Sequence, residues 1–273
     1  MDKSKSLDPK MKIAFFGASS LGYSCCEAIL EAGYEVSIIF TIPKEFKISY
    51  SPNKPVSNVL YKDFSVLGTK YNIPVYEINQ NIREYIDTFK SYQPDFILAI
   101  GWYYMIPQKF IDIVPKGAAG IHASMLPKGR GNAPLVWALI NGESETGITF
   151  FFFSEGVDNG EIIGQKKILI NDNETIATLL EKVEKKSISL LLESMPRISD
   201  GSVKTIKQDE NYATYYRKRA PEDGIIDWSK NSEQIDRFIR AQTRPYPGAY
   251  TIIQNKKIII WDATIIDLDQ EEI

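Results

Sequence analysis

The sequence predicts an α/β fold, a mostly parallel sheet in a three-layer unit, followed by a small α+β appendage. Three observations carry this. Apolar runs at 12–17, 96–100 and 148–153 have the length and bounded ends of buried strands. Helical segments separate them, as parallel strand pairs require. The composition then shifts near 196–203, where Ser199-Asp200-Gly201 marks a turn. The expected organisation is a polar tail at 1–10, a three-layer α/β domain at 11–200 and a small C-terminal unit at 201–273.

The elements follow in order. Lys12-Ile13-Ala14-Phe15-Phe16-Gly17 reads as a strand, Gly17 to Gly22 as its turn into a helix that ends at Glu31-Ala32-Gly33, and 34–40 as a second strand. The Gly17-x-x-x-x-Gly22 spacing tempts a nucleotide reading. It lacks the lysine of a phosphate loop and the G-x-G-x-x-G spacing, so a tight turn without ligand is preferred. Residues 41–58, with Pro43, Pro52 and Pro55, read as a polar loop. A helix is expected at about 56–71, a strand at 74–76, a helix at 82–92 and a strongly apolar strand at 96–100. A further strand is expected at 117–122. Pro134 starts a helix through Leu139 that Asn141-Gly142 would end. The run 148–153 reads as a buried strand, and 174–192 as a helix capped by Asn173. In the appendage, Ser232 caps a helix at 233–242, and strands at 249–253 and 257–261 close the chain. Their isoleucines form either a homodimer surface or the appendage's own core.

Composition bounds the function. At 273 residues, 44% apolar, 25% charged and net charge −3, the chain is an ordinary globular protein with one good core and room for a smaller unit. No apolar run approaches the roughly 18 residues of a membrane span, and MDKSKSLDPK lacks the apolar segment of a signal peptide, so a cytoplasmic location is expected. The slightly acidic balance argues against nucleic acid as the main partner. Cys25 and Cys26 are adjacent, which disfavours a disulfide between them and suits a buried, inert pair on a helix. A single histidine beside two neighbouring cysteines argues against a metal site.

That histidine, His122, lies in the stretch around which the chain is organised, 118–163. Pro127, Gly129, Gly131 and Pro134 force an irregular loop behind it, and Asp158 lies in the turn Val157-Asp158-Asn159-Gly160. Both fall on loops beside strand ends, where α/β proteins keep their chemistry. They read either as a general base with an orienting partner or as a structural histidine beside a turn aspartate. Ser124 lacks the G-x-S-x-G elbow of a serine hydrolase. Gly101-Trp102-Tyr103-Tyr104-Met105 is either core or the wall of a flat-ring pocket.

The motif decides between these. His122-Ala123-Ser124-Met125-Leu126-Pro127, with Arg130-Gly131, Pro134, Trp137-Ala138, Gly142-Glu143, Thr146-Gly147 and Asp158-x-Gly160, resembles the core of the formyltransferases that use 10-formyltetrahydrofolate. The resemblance continues through Asp223-Gly224-x-Ile226-Asp227-Trp228, Ile239-Arg240-Ala241 and Pro247-Gly248-Ala249, most of 11–250. It implies a Rossmann-like formyltransferase domain and direct formyl transfer to a primary amine, with no covalent enzyme intermediate. The family's catalytic histidine falls on His122 and its aspartate on Asp158. The histidine then stabilises the oxyanion, and the aspartate tunes the imidazole and helps remove the amine proton. The family's asparagine falls on Gly120, which has no side-chain donor; Asn132 is a replacement suggested by spacing alone. The pterin is expected near Trp102, Tyr103, Tyr104 and Met105 and the loop carrying Val157. Leu126, Pro127 and Arg130 are expected to shape the surface between donor and acceptor, Arg130 alternatively making a structural salt bridge.

The acceptor follows from the tail. Residues 204–273 hold eleven Lys and Arg against twelve Asp and Glu, too few for a tRNA reader that must neutralise phosphates. The stretch Tyr215 to Gly224 best resembles the nucleotide-sugar N-formyltransferases. Tyr216 is expected on the base and Arg217 or Lys218 on the diphosphate, against a reading of the cluster as a solvated turn. The expected co-substrate is 10-formyltetrahydrofolate, leaving as tetrahydrofolate, and the expected partner a nucleotide-linked amino sugar. The alternatives are a methionyl-tRNA formyltransferase and a non-catalytic folate- or nucleotide-binding relative.

Overall fold

Every second residue of the first strand faces the same side of the sheet, and this alternation builds two cores at once. Ile13 and Phe15 enter one, Ala14 and Phe16 the other. The computed structural model describes residues 11–48, 51–79 and 81–266. In chain order the elements are β1 (Lys12–Phe16), α1 (Ser20–Glu31), β2 (Glu35–Thr41), β3 (Glu45–Ile48), β4 (Ser51–Ser57), α2 (Ser65–Tyr71), β5 (Val75–Glu77), α3 (Ile86–Ser91) and β6 (Phe96–Ala99). Next come α4 (Gln108–Ile111), β7 (Ala118–His122), β8 (Arg130–Gly131), α5 (Pro134–Asn141), β9 (Glu145–Phe152), β10 (Ile162–Leu169) and α6 (Ile176–Ser199). The chain closes with β11 (Tyr215–Tyr216), α7 (Ser232–Arg240), β12 (Ala249–Ile253) and β13 (Lys256–Ile260).

The main sheet has seven strands in the order β10-β9-β7-β6-β1-β2-β5. The five from β7 to β5 are parallel, while β9 runs antiparallel to both β7 and β10. One core lies under α1, α5 and α6, the other under α3 and α4, so the expected three-layer, mostly parallel architecture is present. Cys25 and Cys26 face the first core from α1, and burial raises both thiols.

Several elements differ from the sequence reading. The loop expected at 41–58 contains the β3–β4 hairpin; Pro55 fits because, among the described residues, β4 pairs only with β3. The helix expected from 56 begins only at Ser65, since Asn58 is spent otherwise: its amide donates to the Ala18 carbonyl at 2.7 Å. The helix at 82–92 splits into a 3₁₀ turn, Ile82–Tyr85, and α3. β10 went unread because Gln165-Lys166-Lys167 interrupts its apolar pattern, as suits a sheet edge. Thr175, not Asn173, caps α6, and Asn231, not Ser232, caps α7. In the appendage Ile252, Ile253, Ile258 and Ile259 are exposed, and only Ile260 of the β13 isoleucines packs on its small core of Ile226, Ile239 and Ala249.

The Gly17-to-Gly22 turn is a packing device. Ser19 Oγ accepts from the Gly22 N–H at 3.3 Å as the cap of α1, and a Cβ on Gly22 would lie 2.3 Å from the Ile100 carbonyl oxygen. Gly22→Ala is therefore expected to destabilise the chain by about 1–3 kcal/mol through overpacking. Urea denaturation measures it, and a midpoint equal to the parent's would refute the close approach.

Candidate active site

The carboxyl ends of β6 and β7, the edge where open parallel sheets bind ligands, meet the loop joining β9 to β10. A cavity of about 440 Å³ opens there. Trp102, Tyr104, Met105 and Ile106 wall it after β6, Gly120 and His122 line it from β7, Phe151 from β9 and Phe153 just beyond its end, and residues 154–159 close the far side. The wall is stiff. Trp102 packs edge-on against Phe16 at 5.4 Å and against Tyr104 at 5.8 Å. The Trp102 indole N–H is buried there without a hydrogen-bond partner.

His122 is mostly buried, with one ring nitrogen held and the other facing a carboxylate. Nε2 lies 2.8 Å from the Gly129 carbonyl oxygen, which only accepts, so Nε2 carries the proton. Nδ1 lies 3.7 Å from Asp158 Oδ2. That oxygen also accepts from the Gly131 N–H at 2.9 Å. Asp158 itself sits at φ +51°, in the left-handed region. A neutral imidazole in this tautomer offers a lone pair on Nδ1, and a proton arriving there is paired by a carboxylate.

The loop between β7 and β8 holds Gly129 in place through buried polar contacts. Thr149 Oγ1 donates to the Ser124 carbonyl at 2.7 Å and accepts from the Leu126 N–H at 3.0 Å. Gln165 donates to the Leu126 carbonyl at 2.8 Å, and the Gly129 N–H donates to Thr214 Oγ1 at 2.8 Å. A returning segment completes the frame: β11 pairs with β8, Tyr215 with Arg130 and Tyr216 with Gly131.

The residues singled out from sequence divide into two groups. His122, Asp158, Trp102, Tyr104, Met105 and Val157 come together around the cavity. The others lie elsewhere. Tyr103 turns away to donate its hydroxyl to Asn58 Oδ1 at 2.8 Å. Leu126 is buried with Phe151 and Ile162, and Pro127 offers its carbonyl to the Thr214 N–H at 3.2 Å. Arg130 takes the structural alternative: 1% exposed, it donates to Glu210 at 2.7 and 2.9 Å, to Gln208 and to Tyr215. Asn132 Oδ1 accepts from the Arg219 N–H at 3.4 Å, on the β11 side of the frame. Tyr216 stacks on Trp137 at 6.0 Å and donates its hydroxyl to Glu143 at 2.6 Å, which together with burial raises its pKa. Arg217 pairs through both terminal nitrogens with Asp223, holding that carboxyl well below the usual range, and Lys218 offers its carbonyl to Arg217. Arg217 and Arg219 also lie over Trp137, at 5.0 and 5.1 Å. Sequence reasoning missed Gln208, Thr214, Thr149 and Phe153. None belongs to a motif of its own, and only the fold brings them to His122 and Asp158.

The family model described as formyl transferase matches residues 11–195, about two thirds of the chain. The chain belongs to the formyl transferase family. A second model, the formyl transferase C-terminal domain, matches residues 218–272. Among solved structures, the 4-N formyltransferase from Francisella tularensis superposes with a TM-score of 0.71 at 21% identity, covering 94% of this chain and 99% of that one. The N-formyltransferase from Helicobacter canadensis in complex with folinic acid and dTDP-3-aminofucose superposes at 0.69 and 21%, covering 91% and 86%. HypX from Aquifex aeolicus in complex with tetrahydrofolic acid superposes at 0.69 and 20%, covering 92% of this chain but only 37% of HypX. These likenesses show a shared fold.

Gly120 cannot simply be exchanged for a larger residue. A Cβ there would lie 2.5 Å from the Ala99 carbonyl oxygen and 2.6 Å from the Phe153 ring. Gly120→Ala is expected to cost about 1–3 kcal/mol by overpacking, and less when Phe153 is also alanine. A double-mutant cycle in denaturant reads this; equal losses in both backgrounds would mean that the ring does not fill that space.

Proposed function

We propose that this formyltransferase moves a formyl group from 10-formyltetrahydrofolate to the primary amine of a nucleotide-linked amino sugar. The observation that carries the reading is His122, with Nε2 fixed to Gly129 and Nδ1 facing Asp158, at the edge of a cavity walled by rings. The fit to a folate is favourable: the cavity is largely apolar, Trp102 and Tyr104 suit a flat heterocycle, and the partnerless indole N–H of Trp102 awaits an acceptor. The bound donor supplies an activated formyl carbon.

The acceptor amine attacks that carbon. A new C–N bond forms, and the bond to the folate nitrogen breaks. His122 Nδ1 takes the proton lost by the amine, and Asp158 pairs the resulting imidazolium. The same imidazolium faces the charge that develops on the formyl oxygen, then returns its proton to the departing folate nitrogen. Acyl transfer thus needs only these two side chains to balance its protons.

The acceptor class is supported by two observations. Residues 204–273 carry no basic excess, against a phosphate-rich tRNA. Beside Gly131 and Asn132, Arg217 pairs with the Asp223 carboxylate, Arg219 donates to the Asp223 backbone carbonyl, and Lys218 lies between them in sequence, a basic run suited to a diphosphate. Stacked Trp137 and Tyr216 lie at the same place for a nucleobase.

Formyl transfer from 10-formyltetrahydrofolate to dTDP-, UDP- and GDP-linked amino sugars tests the reading, with initiator Met-tRNA in parallel. Turnover on one sugar nucleotide is expected, falling by about 10²–10⁴-fold in His122→Ala and Asp158→Ala. Turnover on tRNA alone would overturn the acceptor, and none on any amine would overturn the activity.

A further inference from the structure

Asp158 adopts a left-handed backbone, a conformation that aspartate reaches more readily than most residues and that its surroundings here fix. The holding group is Gln208, fifty residues away and almost fully buried. Its Nε2 donates to two carbonyls of the cavity loop, Asp158 and Gly160, each at 2.8 Å. Its orientation is not free. Oε1 accepts from Arg130 Nε at 3.1 Å and Nη2 at 2.8 Å, and a guanidinium only donates, so the amide nitrogen must face the loop. Arg130 is in turn neutralised by Glu210 and bonded to the Tyr215 hydroxyl. A continuous line of hydrogen bonds thus runs from Glu210 through Arg130 and Gln208 to the Asp158 backbone, whose carboxylate faces His122.

We propose that Gln208 is a positioning residue for formyl transfer, its amide setting the backbone of Asp158 and hence the aim of that carboxylate at His122 Nδ1. The inference rests on the reaction proposed above. Arg130 belongs to the same device: its buried charge serves to orient one amide, and its own side chain stays out of the cavity.

Gln208→Glu separates this role from general support. It keeps the shape and the acceptor for Arg130, but replaces the two bonds donated to the loop with carboxylate–carbonyl repulsion. Gln208→Met removes the donors without adding charge and stands in should the first variant fold poorly, as judged by thermal melting. Steady-state kinetics of the full chain, on the sugar nucleotide the wild type turns over, should show kcat lower by about ten- to a hundredfold with KM for both substrates within about twofold. In an Asp158→Asn background the same change should cost less than about twofold more, because the two residues act as one unit. Amide hydrogens of 154–160 should exchange faster in either variant.

A folded variant with wild-type kcat would overturn the proposal, as would losses that multiply in the Asp158→Asn background. An active wild type with a silent Gln208 effect removes only the positioning role. A wild type inert on every amine removes the formyl-transfer reading, and with it the catalytic half of the inference; hydrogen exchange then still decides whether Gln208 holds the loop, unchanged rates excluding it.

Discussion

An imidazole held at one nitrogen by a carbonyl, and so aimed with the other at a carboxylate, is the constraint on which the rest of this structure depends. A histidine on the last residue of a parallel strand points over the sheet edge, but its ring can rotate and its tautomer can switch. Here the Gly129 carbonyl removes both freedoms by accepting from Nε2. A carbonyl can do this only if its own peptide is held rigidly. That explains why the β7–β8 loop spends so many polar groups inward, with Thr149 and Gln165 on its β9–β10 side and Thr214 on the returning segment. The loop's glycines serve the same end. Gly131, at φ +99°, brings its N–H to Asp158 and packs within reach of the Tyr216 carbonyl, where a Cβ would lie 2.5 Å away.

The parts legible in the sequence were those whose signal is local. Strands β1, β6 and the end of β9 are apolar runs because both faces are covered, and α5 announces itself by Pro134 at the start and Gly142 at the end. His122 and Asp158 were legible as a pair because each sits beside turn chemistry after a strand, and the motif spacing tied them together. The illegible parts are those set by partners distant in sequence. Gln208 lies in an unremarkable polar stretch, and nothing near it signals two carbonyls of a loop fifty residues earlier. Tyr103 and Tyr104 are adjacent, yet one faces the cavity and the other the Asn58 side, a division set by Phe46 of the hairpin packing on both rings. That hairpin was itself hidden by its prolines.

Arg130 takes the structural one of the two roles that its sequence left open. A charged, motif-borne arginine a few residues after His122 suggests ligand contact, but a guanidinium 1% exposed is a costly thing to bury unless every donor is used. The partners found, Glu210, Gln208 and Tyr215, use them, and all three lie in the segment after residue 200. The returning segment is therefore part of the machinery of the first unit, supplying a strand partner for β8, a hydroxyl for Gly129 and the amide behind Asp158. A chain cut at the composition shift near 200 would keep the cavity's lining residues and lose their support.

Gly120 bears on how the proposed reaction manages its negative charge. A fixed donor at a developing oxyanion is worth about 10²–10³ in rate, and the resemblance places a side-chain donor where this chain has glycine. The vacancy is not spare room. Ladder pairing with Ala99 brings that carbonyl close, and the Phe153 ring lies over the same spot, so a side chain has no room at the Gly120 Cα. Asn132 is engaged with the Arg219 backbone. Of the donors there, the Trp102 indole N–H is matched above to the flat heterocycle, which leaves His122 for the oxyanion. Once Nδ1 has accepted the amine proton it becomes a charged donor, and a charge-assisted bond is roughly twice as strong as a neutral one. On this chemistry one imidazole accepts the proton and then uses it against the oxyanion, so the two tasks occur in sequence on one atom. That places unusual weight on the direction in which Nδ1 points, and accounts for an Asp158 loop fixed from behind by a fully satisfied buried network.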